Sequence, residues 1–441
     1  MTGAARTGAR PEDRDHELDP GEIDVLDPAV YAHDPYPMYR WLLRHDPVHW
    51  DRHSDIWVVT RYDDVCWVER NPEIFCSSKG VRPDQPGGIS IITMDAPDHT
   101  MHRRLVNKGF TPRMVRKLAT HIEELTAGVL DRVAAAGECD FVADIAYRVP
   151  LIVICELLGL PVEDWKQLGA WSDGLVGSQG ARSTDDPAFE AATQAFIEYT
   201  GYLQELIAAK REDPGDDLVS LMIHQADAGV IATGEVDAIR EKVIRGDADG
   251  KVSLEDLAEI GQDELVMFLI LLLVAGNETT RNAMSGGIAT LSDEPQQWAR
   301  LVEDPSLVDS AVEEVLRWVS PVLNFSRTVT TDTELHGREI REGDKVLVVY
   351  GAANRDPAVF DDPDEFRVDR DPNHHIAFGI GPHFCLGANL ARLELQILYR
   401  QLVRRFPDLR VAPGAGPVRV PNCLVRTIDE LPVVFTPAPA A

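Results

Sequence analysis

One stretch limits the folds open to this chain more than any other: Leu265 to Ala275, LVMFLILLLVA, is 11 consecutive apolar residues. A helix that crosses a bilayer needs about 20. The run is therefore expected as a buried core helix, and the surrounding sequence supplies amphipathic helices to cover it. From Met101 to Ser220 and from Leu254 to Val319, apolar residues recur at three- and four-residue spacing, as in VRKLATHIEELTAGVLDRVAAA and FEAATQAFIEYTGYLQELIAAKRE. Runs suited to strands are short. IWVVTRY lies within Pro35–Ser78 beside the helical YPMYRWLLRH, TELHGREIREGDKVLVVYG follows the second helical block, and the tail CLVRTIDELPVVFTP alternates like a hairpin. A further helix is expected from about Leu386 to Phe406. No Ser/Gly-rich or Pro-rich linker interrupts residues 30–435. The fold class is thus mainly α with small β-sheets, as a single domain over residues 21–441 after a mobile N-terminal extension, residues 1–20.

Charge narrows the function. The 441 residues carry 43 Lys+Arg against 73 Asp+Glu, a net charge of −30. Phosphate backbones and anionic lipid surfaces repel such a chain, so no nucleic-acid partner and no membrane partner are expected. The opening residues, MTGAARTGARPEDRDHELDPGE, lack the apolar segment of a secretory signal, and a cytoplasmic location is expected. The six cysteines, Cys66, Cys76, Cys139, Cys155, Cys385 and Cys423, contain no CxxC pair. That spacing argues against a zinc knuckle, a thioredoxin-like site or a dense disulfide framework. A single-thiolate role stays open.

Cys385 is the candidate for that role. It lies in HIAFGIGPHFCLGANLARLE, where glycines and a proline compress the backbone and a helix begins directly after the cysteine. A sulfur there gains from the helix dipole and from the unsatisfied N–H groups of the first turn, which favour the ionised form. This suits a metal ligand or a nucleophile, with His383 as the only nearby base.

The pattern F-G-x-G-x-H-x-C-x-G, here Phe378, Gly379, Gly381, His383, Cys385 and Gly387, resembles the heme-binding loop of the cytochrome P-450 family. The resemblance implies heme b as cofactor, with Cys385 as the thiolate ligand of the iron. Two further motifs point the same way. Glu314 and Arg317 in SAVEEVLRWV share a helix face and are similar to the family's ExxR pair, with Arg370 as third member of a buried structural triad. Ala275-Gly276-Asn277-Glu278-Thr279-Thr280 resembles the family's distal-helix pattern. There the Gly and the back-bonding Thr hydroxyls make a local bulge or groove reasonable, and Glu278 with Thr279 are the expected catalytic acid and alcohol relaying protons to O2. By the same resemblance His99, Arg103, Arg327 and His383 are the partners of the heme propionates.

The family implies a monooxygenase that turns a substrate C–H into C–OH with electrons from NAD(P)H through a ferredoxin reductase and a ferredoxin. Arg103, Arg104, Lys108, Arg113, Arg116 and Lys117 form a basic patch without an acid between Asp98 and Glu123, a candidate docking face for an acidic ferredoxin. The expected pocket residues are Ile89, Ile91, Ile92, Val274, Ala275, Val322, Leu323 and Leu424, all apolar, implying an apolar small-molecule substrate. TMDAPDHTMHRRLVNKGFTPR and AGNETTRNAMSGG are similar to the branch that hydroxylates sterol and steroid side chains. A steroid or sterol-like substrate is expected, with a fatty acid, terpenoid or polyketide as the alternative. A peroxide-driven peroxygenase would not need Glu278 and Thr279, and a non-catalytic heme sensor would lack them. Residues 229–251 look inserted before the distal helix. Asp247, Asp249, Gly250 and Asp256 faintly match a calcium loop, but Arg245 holds the first ligand position, so a polar surface excursion is the expectation.

Overall fold

A computed structural model of the chain describes residues 20–83, 90–107, 109–177, 187–215, 217–227 and 264–438. Helices α1 (Pro28–Ala32) and α2 (Tyr36–His45) precede strands β1 (Val48–Asp51) and β2 (Ile56–Val59), then α3 (Tyr62–Arg70) and β3 (Phe75–Cys76). The helical middle holds α4 (Asp98–Val106), α5 (Pro112–Lys117), α6 (Ala119–Ala134), strand β4 (Glu138–Asp140), α7 (Arg148–Leu158), α8 (Trp165–Gly177), α9 (Pro187–Glu212) and α10 (Leu218–Asp227). The long α11 (Glu264–Asp293) leads into α12 (Pro295–Glu303) and α13 (Val308–Val319). Next come β5 (Asn324–Val329), β6 (Thr333–Leu335), β7 (Arg338–Ile340), β8 (Lys345–Val349), α14 (Tyr350–Ala353) and α15 (Ala388–Arg405). Strands β9 (Arg410–Val411), β10 (Val418–Arg419), β11 (Ile428–Glu430) and β12 (Pro432–Val434) end the chain. The architecture is mainly α with small sheets, as the periodicity implies. The extension 1–20, apart from Pro20, and the 229–251 segment with its calcium-like residues lie outside the described residues, as do Ile89 and Lys108.

The apolar run becomes the first half of α11, where Leu265, Val266, Leu269 and Leu273 are buried against α7, α8, α9 and α10. By length and composition Leu265–Asp293 could cross a membrane, but 67% of its most apolar window is covered by the rest of the fold. Its second half buries Ala283, Met284 and Ile288 with residues of α6, α13 and α15. Polar side chains on α11 bond back to their own helix: Thr279 Oγ1 donates to the Ala275 carbonyl at 2.7 Å, Ser285 to Arg281 at 2.9 Å and Thr290 to Gly286 at 2.8 Å. The helix stays α throughout, so of the expected bulge or groove at Gly276 no bulge forms, whereas Gly276 does line an open cavity.

The main sheet runs β1-β2-β8-β5-β3, with β2 and β8 parallel and the other pairs antiparallel. Between β6 and β7 the chain turns on His336 (φ 51°) and Gly337 (φ 74°), the two left-handed residues of a tight hairpin. The tail departs from the single hairpin its alternation suggests. β11 pairs with β10, whereas β12 pairs with β4 and β9 in another sheet. Leu431 is fully buried between β11 and β12, and Pro432 cannot donate to a ladder, so the two strands part company there.

α13 carries a buried charge network. Glu314 accepts from Arg317 Nε at 2.7 Å and Nη2 at 2.8 Å, and from Arg370 Nε at 3.0 and 3.1 Å. The Arg367 amide (3.0 Å) and Asn373 Nδ2 (3.1 Å) also donate to it. Arg317 and Arg370 spend their remaining N–H groups on the carbonyls of Asn354, Asp361, Asp362, Pro363 and Glu365. Three charges within 4% of full burial fasten the long loop after α14 to the core. Removing one partner strands the others without water, at about 3–5 kcal/mol. Glu314→Gln should therefore lower the free energy of unfolding measured by urea titration by that much, whereas Arg300→Ala, which breaks the Arg300–Asp369 pair whose side chains are 41% and 46% exposed, should cost about 1 kcal/mol or less. Equal losses would contradict the burial argument.

Candidate active site

The loop before α15 closes on itself through the Cys385 amide, which donates to the Phe378 carbonyl at 2.9 Å. Gly381 adopts φ 75°, and a Cβ there would stand 2.5 Å from the Glu69 carbonyl, so a side chain is excluded on both counts. Gly387 occupies the N-cap of α15 with no side chain to cap it. The sulfur takes that place, receiving the N–H groups of Gly387 and Ala388. Cys385 opens onto a cavity but lies deep in the protein mass. Depth pushes its thiol upward, while the two amides, Arg103 and Arg392 pull the other way. An iron bound to the sulfur would decide that balance, because a metal-coordinating thiol is deprotonated outright.

The cavity occupies about 1450 Å³, solvent mouth included. The Cys loop and α15 form one wall: Phe378, Gly379, His383, Cys385 and Gly387 all face it, together with Leu390, Ala391 and Glu394. The opposite wall is one face of α11. Phe268, Leu271, Leu272, Ala275, Gly276, Thr279, Thr280 and Ala283 line it at helical spacing. Because Thr279 donates its proton to its own helix, its oxygen meets the cavity as an acceptor. Ile91, Ile92, Phe110, Ile154, Val322 and Phe325 complete the apolar surround.

Polar groups gather around His383. Its ring lies 4.2 Å from that of His99, and its Nε2 is 3.2 Å from Ser77 Oγ. Arg103 Nη2 donates to the Phe384 carbonyl at 2.5 Å. Burial, with Arg327 and His99 nearby, takes His383 down to about 3, and burial with Arg103 lowers His99 as well. The two imidazoles are therefore neutral hydrogen-bonding groups, and the positive charge comes from Arg103 and Arg327. Arg327 is already paired with the buried Glu69 at 2.8 Å.

The structure brings His99, Arg103, Arg327, Phe378, Gly379, His383, Cys385, Gly387, Thr279, Ile91, Ile92, Ala275 and Val322 to this one cavity. It does not bring Glu278, Val274, Leu323 or Leu424 there. Glu278 and Val274 lie off the α11 stripe. Glu278 is 2% exposed, ion-paired with Arg281, and accepts from Asn282 Nδ2 at 2.8 Å and Thr427 Oγ1 at 3.1 Å. Leu323 follows Val322 in extended chain and so takes the other side, packing with Tyr31, Leu42 and Ile56. Leu424 gives its carbonyl to the Leu323 amide beside the Val322–Val425 bridge and does not line the cavity. Phe268, Leu271 and Leu272 were missed although the 3.6-residue period from Ala275 and Thr279 marks them. Phe110, Ile154, Phe325 and Glu69 come from distant segments and carry no local signal.

These groups fit heme. A soft sulfur donor at a helix start, a cluster of donors and cations for two carboxylates, and an otherwise apolar slot between the Cys loop and α11 are what a flat iron macrocycle requires. Glu394 is the exception among the lining groups. It is 2% exposed, its Oε2 has no partner, and burial raises its carboxyl to about 8. The native state holds this proton after the unfolded chain has lost it, so stability falls as pH rises from about 4.5 to about 8. Glu394→Gln should thus gain thermal stability over the wild type progressively across that window and no further above it. A difference in Tm that is constant with pH would contradict a neutral native Glu394.

The cytochrome P-450 family model matches residues 184–427, more than half of the chain. A steroid C26-monooxygenase of Mycolicibacterium smegmatis is 40% identical over 418 residues, covering 95% of this chain and 97% of that protein. A steroid C26-monooxygenase of Mycobacterium tuberculosis is 39% identical, covering 95% and 98%. Among solved structures, a Bacillus megaterium cytochrome P-450 in complex with testosterone is similar with a TM-score of 0.79 and 33% identity, covering 92% of this chain and 98% of that one. With a lone cysteine at a helix start facing an apolar slot, and likeness over nearly its whole length, the chain belongs to the cytochrome P-450 family of heme-thiolate monooxygenases.

Proposed function

We propose that this monooxygenase hydroxylates a steroid or sterol-like substrate, with Cys385 as the residue that would hold the iron of heme b. The observation that carries the substrate reading is the distribution of polarity in the cavity. Among the described residues, the wall opposite Cys385 offers only apolar side chains and the Thr279 and Thr280 hydroxyls, while the cations cluster around His383. A free fatty acid would bring a carboxylate that this wall leaves without a partner, and an ionised group buried unpaired costs far more than a neutral polar one. A rigid hydrocarbon with few polar atoms has no such penalty. The two mycobacterial relatives are steroid C26-monooxygenases, and the Bacillus megaterium neighbour was solved with testosterone.

Heme, when bound, supplies the binding and activation of O2; the chain supplies the setting. Cys385 would hold the iron, and His99, Arg103, Arg327 and His383, which line the same cavity, would hold the propionates. Phe268, Leu271 and Leu272 exclude water around the substrate. The Thr279 oxygen accepts a hydrogen bond at the reacting centre. Glu278 lies one residue away behind the cavity wall, held by Arg281, Asn282 and Thr427, and would have to leave that cluster to pass a proton to Thr279. One oxygen atom enters the C–H bond and the other leaves as water, consuming two electrons and two protons.

The electrons come from a ferredoxin served by an NAD(P)H-dependent reductase. Support for the docking face is the exposure of Arg104, Arg113, Arg116 and Lys117, with Met101 and Met114 exposed in the same segments and Phe384, whose carbonyl accepts from the Arg103 guanidinium, exposed in the Cys loop. Basic side chains around apolar contacts suit an acidic partner.

Titrating the ferric holoenzyme with a cholesterol-type 3-ketosteroid should shift the Soret band to its high-spin position and yield a hydroxylated side chain in reconstituted turnover. Perturbation by free fatty acids but by no steroid would overturn the substrate reading. Arg113→Glu combined with Arg116→Glu should raise the KM for ferredoxin about tenfold at low salt and flatten its salt dependence. An unchanged KM would place docking elsewhere.

A further inference from the structure

Glu313, the residue before the buried Glu314, makes a second clamp that the heme-loop motif does not reveal. Its Oε1 accepts from Arg392 Nε at 2.7 Å, and its Oε2 from Arg392 Nη2 and His375 Nε2, both at 2.9 Å. The His375 side chain is 2% exposed. The Ala377 amide donates to His375 Nδ1 at 3.2 Å, so the proton of a neutral ring sits on Nε2 and points at Glu313. Arg392, in turn, stands over the Phe378 ring at 4.6 Å. His375 lies ten residues before Cys385 and Arg392 seven after it. One carboxylate on α13 thus grips both ends of the loop that presents the sulfur.

We propose that Glu313 is a positioning residue for the heme thiolate, acting through His375 and Arg392 to fix the Cys385 loop and to hold the Arg392 cation beside Phe378 and the sulfur. The inference rests on Cys385 being the iron ligand. Burial alone would raise the Glu313 carboxyl, but the hydrogen bonds from His375 and Arg392 bring it down to about 2, so the clamp stays charged through the physiological range. The Asp309–Arg400 pair supplies an internal control. It joins the same two helices at 2.5 Å, but its side chains are 59% and 45% exposed, and among the described residues neither makes a hydrogen bond with His375 or Arg392.

The test uses heme-loaded Glu313→Gln, Arg392→Gln, the double variant and Asp309→Asn, reduced and saturated with CO. The fraction of enzyme with a thiol-type rather than thiolate-type Soret band should rise at least threefold in each single variant. The double variant should be no worse than the worse single, because the two residues act as one unit. Asp309→Asn should match the wild type. The reduction potential of the heme should rise in Glu313→Gln, which removes an anion, and fall in Arg392→Gln, which removes a cation. A merely structural role would lower Tm without opposite shifts in potential. Wild-type Soret partition in both single variants, losses that add in the double, or potentials that shift in the same direction would overturn the proposal. Should Glu313→Gln fail to fold, His375→Gln loosens the same clamp from its other arm and must raise the thiol-type fraction. If the wild type itself lacks the thiolate band, the ligand assignment has failed and not the clamp.

Discussion

The structure depends on keeping one sulfur ionisable at a place where burial opposes its charge. Cys385 stands at the start of α15, deep in the protein, and each nearby feature answers that constraint. The amides of Gly387 and Ala388 face the sulfur, because no side chain caps the helix. Gly381 lets the chain turn under Glu69 with no Cβ in the way. Arg103 reaches the Phe384 carbonyl next door and brings a positive charge near. A thiolate in a dry slot is costly alone, and it becomes a ligand only in a frame that compensates it before the metal does.

That frame is built from α13. Its two successive carboxylates look in different directions: Glu314 gathers Arg317, Arg370 and Asn373 behind the long loop, and Glu313 ties His375 and Arg392 on either side of the cysteine. A loop of this length would otherwise carry a large conformational entropy. α11 supplies the facing wall. Its cavity stripe and its buried stripe are interleaved on one helix, which explains how Thr279 meets the open space while Glu278, one residue earlier, is locked into a polar cluster with Arg281, Asn282 and Thr427.

Much of this was legible in the sequence, for identifiable reasons. The apolar run and the helical periods are local signals, and they gave the core helix and the mainly α class. Compression of glycines before Cys385 is also local, as is the i,i+3 placement of Glu314 and Arg317. Facing is less readable. Val274 and Leu323 are apolar and adjacent to true lining residues, but a helix turns about 100° per residue and extended chain alternates sides, so neighbours in sequence are not neighbours in the cavity. The tail strands were misjudged because alternation reports a half-buried strand and not its partner. The Glu69 contact with Arg327 joins segments more than 250 residues apart, and nothing in either segment announces the other.

The central claim is that Cys385 gives the heme its thiolate ligand, and the absorption spectrum of the reduced, CO-bound enzyme measures this most directly. The account predicts a strongly red-shifted thiolate-type Soret band in the wild type. It also predicts loss of that band, with heme retained at least in part by His99, Arg103 and Arg327, in Cys385→Ala. A thiolate-type band that survives in Cys385→Ala, or one never formed by the wild type after heme loading, would contradict it.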